Sequence, residues 1–295
     1  MRKITTQKIF RRLDLMVSRA ISRVLFLKRG GFRDSFGSYI SPSAHAAANS
    51  ESLHQLLRPI MELMTIQEID KPLMRLGSEF DGGYVVIDKS YEESFLISAG
   101  ISNNNDFEIS FANLGGHGHQ VDYTVLEAPL KHENLTFSAS RLVGEFSKRM
   151  SFDVTLDELY DKYIKNTKYE KKANILKMDI EGSEWEILES TTVLNKFDQV
   201  LLEIHYLERL AKEDFQKEYL AAINKLFTHF RPVAIAGNNC CGFVTIGGFS
   251  VPRVIEMSLV NRNIHPTKDL NRFENVDTLI TRNYPSRAPI VLKRW

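Results

Sequence analysis

The chain predicts an α/β fold with a mostly parallel sheet that ends in an antiparallel strand pair. Two apolar runs, Ile175-Leu176-Lys177-Met178-Asp179-Ile180 and Gln199-Val200-Leu201-Leu202-Glu203-Ile204, have the short, nearly continuous character of strands buried on both faces of a parallel sheet. A helix start follows the first run at once, giving the strand-turn-helix order of parallel α/β units. Near the end, Pro232-Val233-Ala234-Ile235-Ala236 and the run from Val251 to Val260 have no helix between them, so they are expected to pair antiparallel.

Composition narrows the class. With 295 residues, 43% hydrophobic and 25% charged, the chain can bury a sizeable core, and one large domain with extensions is expected. A formal net charge of +1 gives no global attraction to nucleic acid or membrane, so no nucleic-acid partner is expected and any electrostatic preference must be local. The two cysteines, Cys240 and Cys241, are adjacent. That spacing disfavours a disulfide between them and excludes a metal knuckle made of them alone, so a reducing, cytoplasmic compartment is expected. No apolar run reaches the ~18 residues of a membrane span, and no signal-peptide pattern opens the chain, so the protein should be soluble or membrane-peripheral.

In order along the chain, residues 1–50 read as a basic amphipathic helix and a linker. Lys8, Arg12, Arg19 and Arg23 share one helical face, and Ile9, Leu13, Met16, Val17, Ala20 and Val24 the opposite one. Such a helix could lie on an anionic membrane surface, or dock on the main domain or a second subunit. Residues 51–92 hold a helix from about Ser52 to Met64, then strands Leu73-Met74-Arg75-Leu76 and Tyr84-Val85-Val86-Ile87 joined through Asp81-Gly82-Gly83 as a hairpin. Arg75 and Asp81 could reach a ligand from it.

The core is expected over residues 93–260. Phe95-Leu96-Ile97-Ser98-Ala99 is its first strand, followed by the turn Gly100-Ile101-Ser102-Asn103 and a helix near Phe107. The turn lacks the G-x-G-x-x-G fingerprint of pyrophosphate binders, which suits a cofactor without phosphates, with Ser102 and Asn103 able to bond its polar end. Gly115-Gly116-His117-Gly118-His119 reads as a flexible turn with exposed histidines. The strand after it ends at Asp122, roughly 20 residues beyond the glycine turn, where an acid binds ribose hydroxyls in nucleoside-binding α/β folds; Glu127 is the nearby rival. A third strand is expected at Leu135-Thr136-Phe137, and Thr155-Leu156-Asp157-Glu158 is a capping box.

Asp179, Glu181 and Gly182 then sit at a strand's carboxyl end, where open α/β sheets bind ligands. Ser183 is expected to cap the following helix, with Glu186 completing a capping box. Glu203 and His205 end the neighbouring strand and should share one crevice with Asp179 and Glu181. Asn238 and Asn239 end the next and could orient a hydroxylated substrate. Residues 261–295 show no clear period and are expected to wrap the surface.

Leu176-Lys177-Met178-Asp179-Ile180-Glu181-Gly182-Ser183-Glu184-Trp185-Glu186-Ile187-Leu188 resembles the signature of FkbM-type methyltransferases. Arg75-x-Gly77, Asp81-Gly82-Gly83-Tyr84, Gly100-Ile101-Ser102-Asn103, Glu203-Ile204-His205 and Gly237-Asn238-Asn239 resemble a branch of that family related to methyltransferase-like proteins. Coverage runs from about Leu73 to Val260, and the glycine turn departs from the family's common Asp-x-Gly-Ala-x-x-Gly form. The resemblance implies a Rossmann-like class I methyltransferase fold with an N-terminal helical extension. It also implies S-adenosylmethionine as cofactor and methyl transfer, usually to oxygen on a sugar, polyketide or related hydroxylated acceptor. Under it, Asp81, Gly100, Ser102, Asn103 and Asp122 are candidate cofactor contacts. Asp179, Glu181 or His205 could take the acceptor's proton; alternatively Asp179 and Glu203 could hold a divalent cation such as Mg or Mn that acidifies the hydroxyl. A metal-dependent hydrolase using the same acids, and a non-catalytic membrane-associated scaffold, stand as the alternatives.

Overall fold

The computed structural model describes residues 50–269, 278–288 and 290–292, so the helix and linker expected over residues 1–50 lie, save for Ser50, outside the described residues. Ser50 accepts a hydrogen bond from the Leu53 amide and opens helix α1 (Glu51–Leu63), whose Leu53, Leu57, Ile60 and Met61 are buried. Strand β1 (Gln67–Ile69) precedes β2 (Leu73–Leu76) and β3 (Tyr84–Ile87), which pair as the expected hairpin. The core begins with β4 (Phe95–Ala99), α2 (Asp106–Asn113), β5 (His117–Val121) and β6 (Leu135–Ser138). Two short strands, β7 (Arg141–Val143) and β8 (Asp153–Thr155), lead into α3 (Leu156–Tyr163), which the Thr155–Glu158 capping box opens as expected. Next come β9 (Ile175–Met178), α4 (Glu184–Ser190), β10 (Gln199–Ile204), α5 (Glu213–His229) and β11 (Phe230–Gly237). The chain continues through β12 (Phe243–Ile246), β13 (Phe249–Pro252), β14 (Ile255–Asn261), β15 (Thr267–Asp269) and β16 (Ile290–Val291).

One eight-stranded sheet organises these elements in the order β16-β11-β14-β10-β9-β4-β5-β6. The strands from β10 to β6 are mutually parallel, and β14 runs antiparallel between β10 and β11. Alternation along the strands explains why the central runs read as continuously apolar. Leu96, Ile175 and Leu201 face Phe107 and Phe111 of α2 and Tyr84 and Val86 of the hairpin. Ile97, Leu176, Val200 and Leu202 face a larger cluster that takes in α1, α3, α4 and α5.

The structure corrects five local expectations. Ser183 makes no capping bond; Glu186 instead accepts from the Gly144 amide and the Ser147 hydroxyl, and Glu184 accepts the Ile180 amide. The glycine-rich stretch is not a turn throughout, because His117–Val121 is strand β5, and His119 is buried between Thr136 and Ser138. The run from Val251 to Val260 splits into β13 and β14, so the antiparallel pair β11–β14 encloses a second hairpin. The C-terminal stretch does not merely wrap the surface: β15 pairs with β1, and β16 extends the main sheet beside β11. Finally, Cys240 and Cys241 are joined by a disulfide within a turn where Asn238 accepts the Cys240 amide and Gly242 adopts φ +72°. The ground for a reducing compartment therefore falls away. No helix among the described residues is long and apolar enough to cross a membrane.

Candidate active site

The candidate site is built where β4, β9 and β10 end. Gly100 takes φ +81°, and a Cβ there would lie 1.6 Å from the Asp179 carbonyl oxygen, so only glycine lets the two strand ends approach. Gly182 takes φ +100° with the Tyr206 ring where its Cβ would be, at 2.2 Å; the close approach expected at this glycine is made by an aromatic ring.

Asp179, Glu203 and His205 each bring one polar atom within 4.8 Å of the others, and Asp81, Glu203 and Glu256 do the same. The sheet register accounts for part of this, since Glu203 and Glu256 are directly opposed across β10 and β14. Asn238 donates to Glu203 Oε1 at 2.7 Å, and Asn283 donates to Asp81 Oδ1 at 3.0 Å and to Glu256. Behind these acids, His205 Nδ1 meets Glu184 Oε1 at 3.0 Å, while Nε2 lies 3.7 Å from Glu181 Oε2. Glu181 itself is exposed at the rim.

Burial separates the charge states. It lifts the Asp179 carboxyl against the opposing pull of Lys177 and His205, and lifts Glu203 well above the ordinary range with help from the Asp179 charge. Burial also carries Glu256 up to about 7. For His205 burial works the other way, but the Glu184 charge and hydrogen bond, with Glu203 and Glu181, outweigh it and hold the imidazole well above its usual value. The site thus sets an imidazole whose proton is held more tightly than usual, backed by Glu184, beside two carboxyls whose proton affinity is also raised.

On the cofactor side, Asp122 Oδ2 accepts the amides of Ile101 at 2.9 Å and Ser102 at 2.7 Å, and Oδ1 accepts the amide and hydroxyl of Thr124, both at 2.6 Å. Asp122 thus pins the glycine turn, and the amides that would face a pyrophosphate are already satisfied. Ser102 and Asn103 are exposed on the turn. Glu127 points away into a surface ion pair with Lys131. Asn239 does not join the acids: its amide bonds Tyr284, Arg287 and Ala288 and fixes the C-terminal segment. Arg75 is occupied by the carbonyls of Ser78, Phe80 and Leu279.

Sequence reasoning passed over three residues that the structure makes central. Lys177, buried in β9, donates to the Gly100 carbonyl at 3.0 Å and pairs with Glu108 at 3.2 Å. A lysine inside an apolar strand was the available signal, because a buried charge needs a partner. Glu184 and Asn283 carried no signal that set them apart from neighbouring polar residues.

This strand order, with a glycine turn after the first core strand, an acid after the second and a cluster of polar side chains at the carboxyl ends, is a Rossmann-like methyltransferase fold. The chain matches the methyltransferase FkbM domain over residues 76–233, more than half its length, and belongs to that family. It is accordingly a methyltransferase, with S-adenosylmethionine as the expected donor. Among solved structures, the fibrillarin/Nop5p complex is 13% identical with a TM-score of 0.37 over 68% of this chain and 99% of that one. The Methanococcus jannaschii fibrillarin pre-rRNA processing protein is 14% identical with a TM-score of 0.35 over 65% and 83%. The Burkholderia thailandensis 1,6-didemethyltoxoflavin-N1-methyltransferase, solved with S-adenosylhomocysteine, is 13% identical with a TM-score of 0.26 over 78% and 97%. A search of curated proteins gave no match.

Proposed function

We propose that the protein methylates a hydroxyl oxygen of a sugar or other polyhydroxylated acceptor. The observation that carries this reading is the convergence of half-buried Asp179 and buried Glu203, two carboxylates of raised proton affinity, beside the Gly100 turn.

The turn fits a phosphate-free nucleoside cofactor. Gly100 brings its backbone against Asp179, and the Ile101 and Ser102 amides are held by Asp122 rather than aimed at an anion. S-adenosylmethionine, when bound, supplies an electrophilic methyl group on a sulfonium centre. The Gly100–Asn103 turn and Asp122 would hold it, with Asp81 on the hairpin side. An acceptor hydroxyl at the site must lose its proton as its oxygen attacks. Asp179 takes that proton, because burial has raised the proton affinity of its carboxyl, whereas Glu184 holds the proton of His205. The Asn238 amide holds Glu203 in place, and Glu203 accepts from a second hydroxyl. Neither the hydrolase nor the scaffold alternative gains support from the family match.

An acceptor screen with labelled cofactor, followed by locating the methyl group by mass spectrometry, tests the reading. Label on oxygen, lost in Asp179→Asn, is expected; label on nitrogen or carbon overturns it. The basic segment of residues 1–33 is proposed to dock on an anionic membrane or a second subunit. Equal recovery of the full chain and a chain starting at Ser50 on anionic liposomes would remove the membrane arm.

A further inference from the structure

The turn between β11 and β12 carries the Cys240–Cys241 disulfide, and these are the chain's two cysteines. A cross-link between sequence neighbours encloses no intervening chain, so it removes little freedom from the unfolded state and does not staple the fold. What it constrains is the turn itself. Cys241 and Gly242 are exposed and Cys240 is half-buried. A Cβ on Gly242 would meet nothing within 4 Å among the described residues, so the outer side of the turn is open to an attacking reagent. Exposed disulfides are the ones that exchange with thiols.

The inner side of the same turn reaches the acids by two routes. Asn238 accepts the Cys240 amide at 2.9 Å through Oδ1 and donates through Nδ2 to Glu203 Oε1 at 2.7 Å, so a single side chain links the disulfide to the site. The second route runs through the C-terminal segment. Asn239 accepts the Tyr284 amide at 2.7 Å, and its own side-chain amide donates to the carbonyls of Tyr284, Arg287 and Ala288. Arg287 donates in return to the carbonyls of Asn239, at 3.0 Å, and Cys240. Asn283, next to Tyr284, then donates to Asp81 and Glu256. Both routes start from the backbone path of residues 238–241, which the disulfide ring fixes.

We propose that Cys240–Cys241 is a reversible redox site, and that its opening by a dithiol reductant loosens the acceptor side of the active centre. A thiolate of the reductant attacks Cys241 Sγ, the S–S bond breaks, and its electron pair leaves with Cys240 Sγ. The reductant's second thiolate then attacks the reductant's own sulfur in this mixed disulfide, closes the reductant's disulfide and releases Cys241. Two electrons pass to the protein, and the two protons of the dithiol end on Cys240 and Cys241. With the ring open, the turn gains conformational freedom, so the Asn238–Glu203 bond and the Asn239 hold on the C-terminal segment weaken together. The Gly100 turn is outside both routes: it follows β4, separated from β11 by β14, β10 and β9, and is held by Asp122. Calling the loosened side the acceptor side rests on the proposed function; the redox site itself does not.

The test takes full-length protein oxidised with hydroxyethyl disulfide and the same protein then treated with dithiothreitol. Each form is alkylated and mapped by mass spectrometry, with hydrogen exchange followed in parallel. Alkyl groups on Cys240 and Cys241 are expected only after dithiothreitol. Exchange in residues 278–288 should run about 3–10-fold faster in the reduced form, the effect of weakening roughly one hydrogen bond per amide. Residues 95–122 should exchange alike in both. Cys240→Ser combined with Cys241→Ser should behave as the reduced form with or without dithiothreitol, and the wild-type comparison decides the matter even if that variant does not fold. Cysteines alkylated in the oxidised sample, a disulfide that resists dithiothreitol in the folded protein, exchange in 278–288 that ignores redox state, or equal acceleration in 95–122 overturns the proposal. Methyl label on nitrogen or carbon would overturn the oxygen reading and leave the redox site standing.

Discussion

Replacing Lys177 by methionine removes a cation from the middle of the sheet while keeping much of the side chain's volume. The ammonium is 4% exposed and lies 3.2 Å from Glu108 Oε1, whose side chain is 1% exposed, and 3.0 Å from the Gly100 carbonyl oxygen. Without it, Glu108 keeps one protein donor, Ser98 Oγ at 2.5 Å, and its Oε2 is already without a partner. Breaking one side of such a buried pair costs about 3–5 kcal/mol. For a domain of this size that corresponds to a melting temperature lower by roughly 6–20 °C. Removing the stranded charge as well, in Lys177→Met with Glu108→Gln, should recover most of the loss, leaving a deficit of about 1 kcal/mol from the freed Gly100 carbonyl. The assay is thermal unfolding of the wild type, both single variants and the double variant, with cofactor titration of the double. A Lys177→Met melt within 2 °C of wild type, or a double variant no better than the single, would show that the pair does not support this part of the sheet.

Asp122→Ala deprives the Ile101 and Ser102 amides of their acceptor, each such charged hydrogen bond being worth about 1.5–3 kcal/mol, so calorimetric affinity for S-adenosylmethionine should drop at least ~10-fold; an unchanged affinity would exclude the turn from the cofactor site. Glu256 binds its proton more tightly in the fold, at about 7 against 4.5, so its contribution is fully present below about pH 4.5 and is lost as pH rises through about 7. His205, also raised, loses stability in the same direction at higher pH. Melting temperature should therefore fall between pH 5 and 8 by an amount equivalent to roughly 3 kcal/mol, less in Glu256→Gln; parallel curves would refute the assignment. Gly182→Ala sets a Cβ against the Tyr206 ring at a left-handed φ, destabilising by at least ~2 kcal/mol and displacing the ring; an unaltered melt would show that the ring gives way freely.

The central strands were legible because burial on both faces leaves mostly apolar residues, whichever way each side chain points, with Lys177 the paired exception in β9. The β2–β3 hairpin was legible through Asp81-Gly82-Gly83, and the α3 cap through Thr155 and Glu158, whose bonds are local. The same local pattern misled at Ser183 and Glu186. There the carboxylate is claimed by Gly144 and Ser147, about forty positions earlier, and a long-range partner leaves no mark in a short window. His119 was misread for a related reason: glycines suggested a turn, but pairing with Leu135–Ser138 made the segment a strand and placed the ring between Thr136 and Ser138, stacked on Tyr163. The convergence of Asp179, Glu203 and His205 was legible from adjacent strand ends. That Asn283 would bridge Asp81 and Glu256 was not, because it depends on where the C-terminal segment returns.

One turn explains how a short acidic segment acquires different environments for like residues. Among the described residues, four non-glycine positions have a left-handed backbone, and Ser102, Glu181 and Tyr206 follow the ends of β4, β9 and β10. Such conformations cost roughly 1–3 kcal/mol each and persist only where neighbours enforce them. Asp122 enforces Ser102 through its amide, Glu184 ties back the Ile180 amide beside Glu181, and the Tyr206 ring fills the space over Gly182. The left-handed step at Glu181 reverses the chain at once, so three acids within six residues diverge. Asp179 stays with the sheet, its amide on the Ala99 carbonyl, and faces Glu203. Glu181 is turned out to the rim, and Glu184 comes back beneath His205 with its carboxylate fully buried. A carboxyl of raised proton affinity, an exposed rim side chain and an anchor for the His205 ring thus arise from one turn, because backbone geometry rather than residue type decides how much water each side chain keeps.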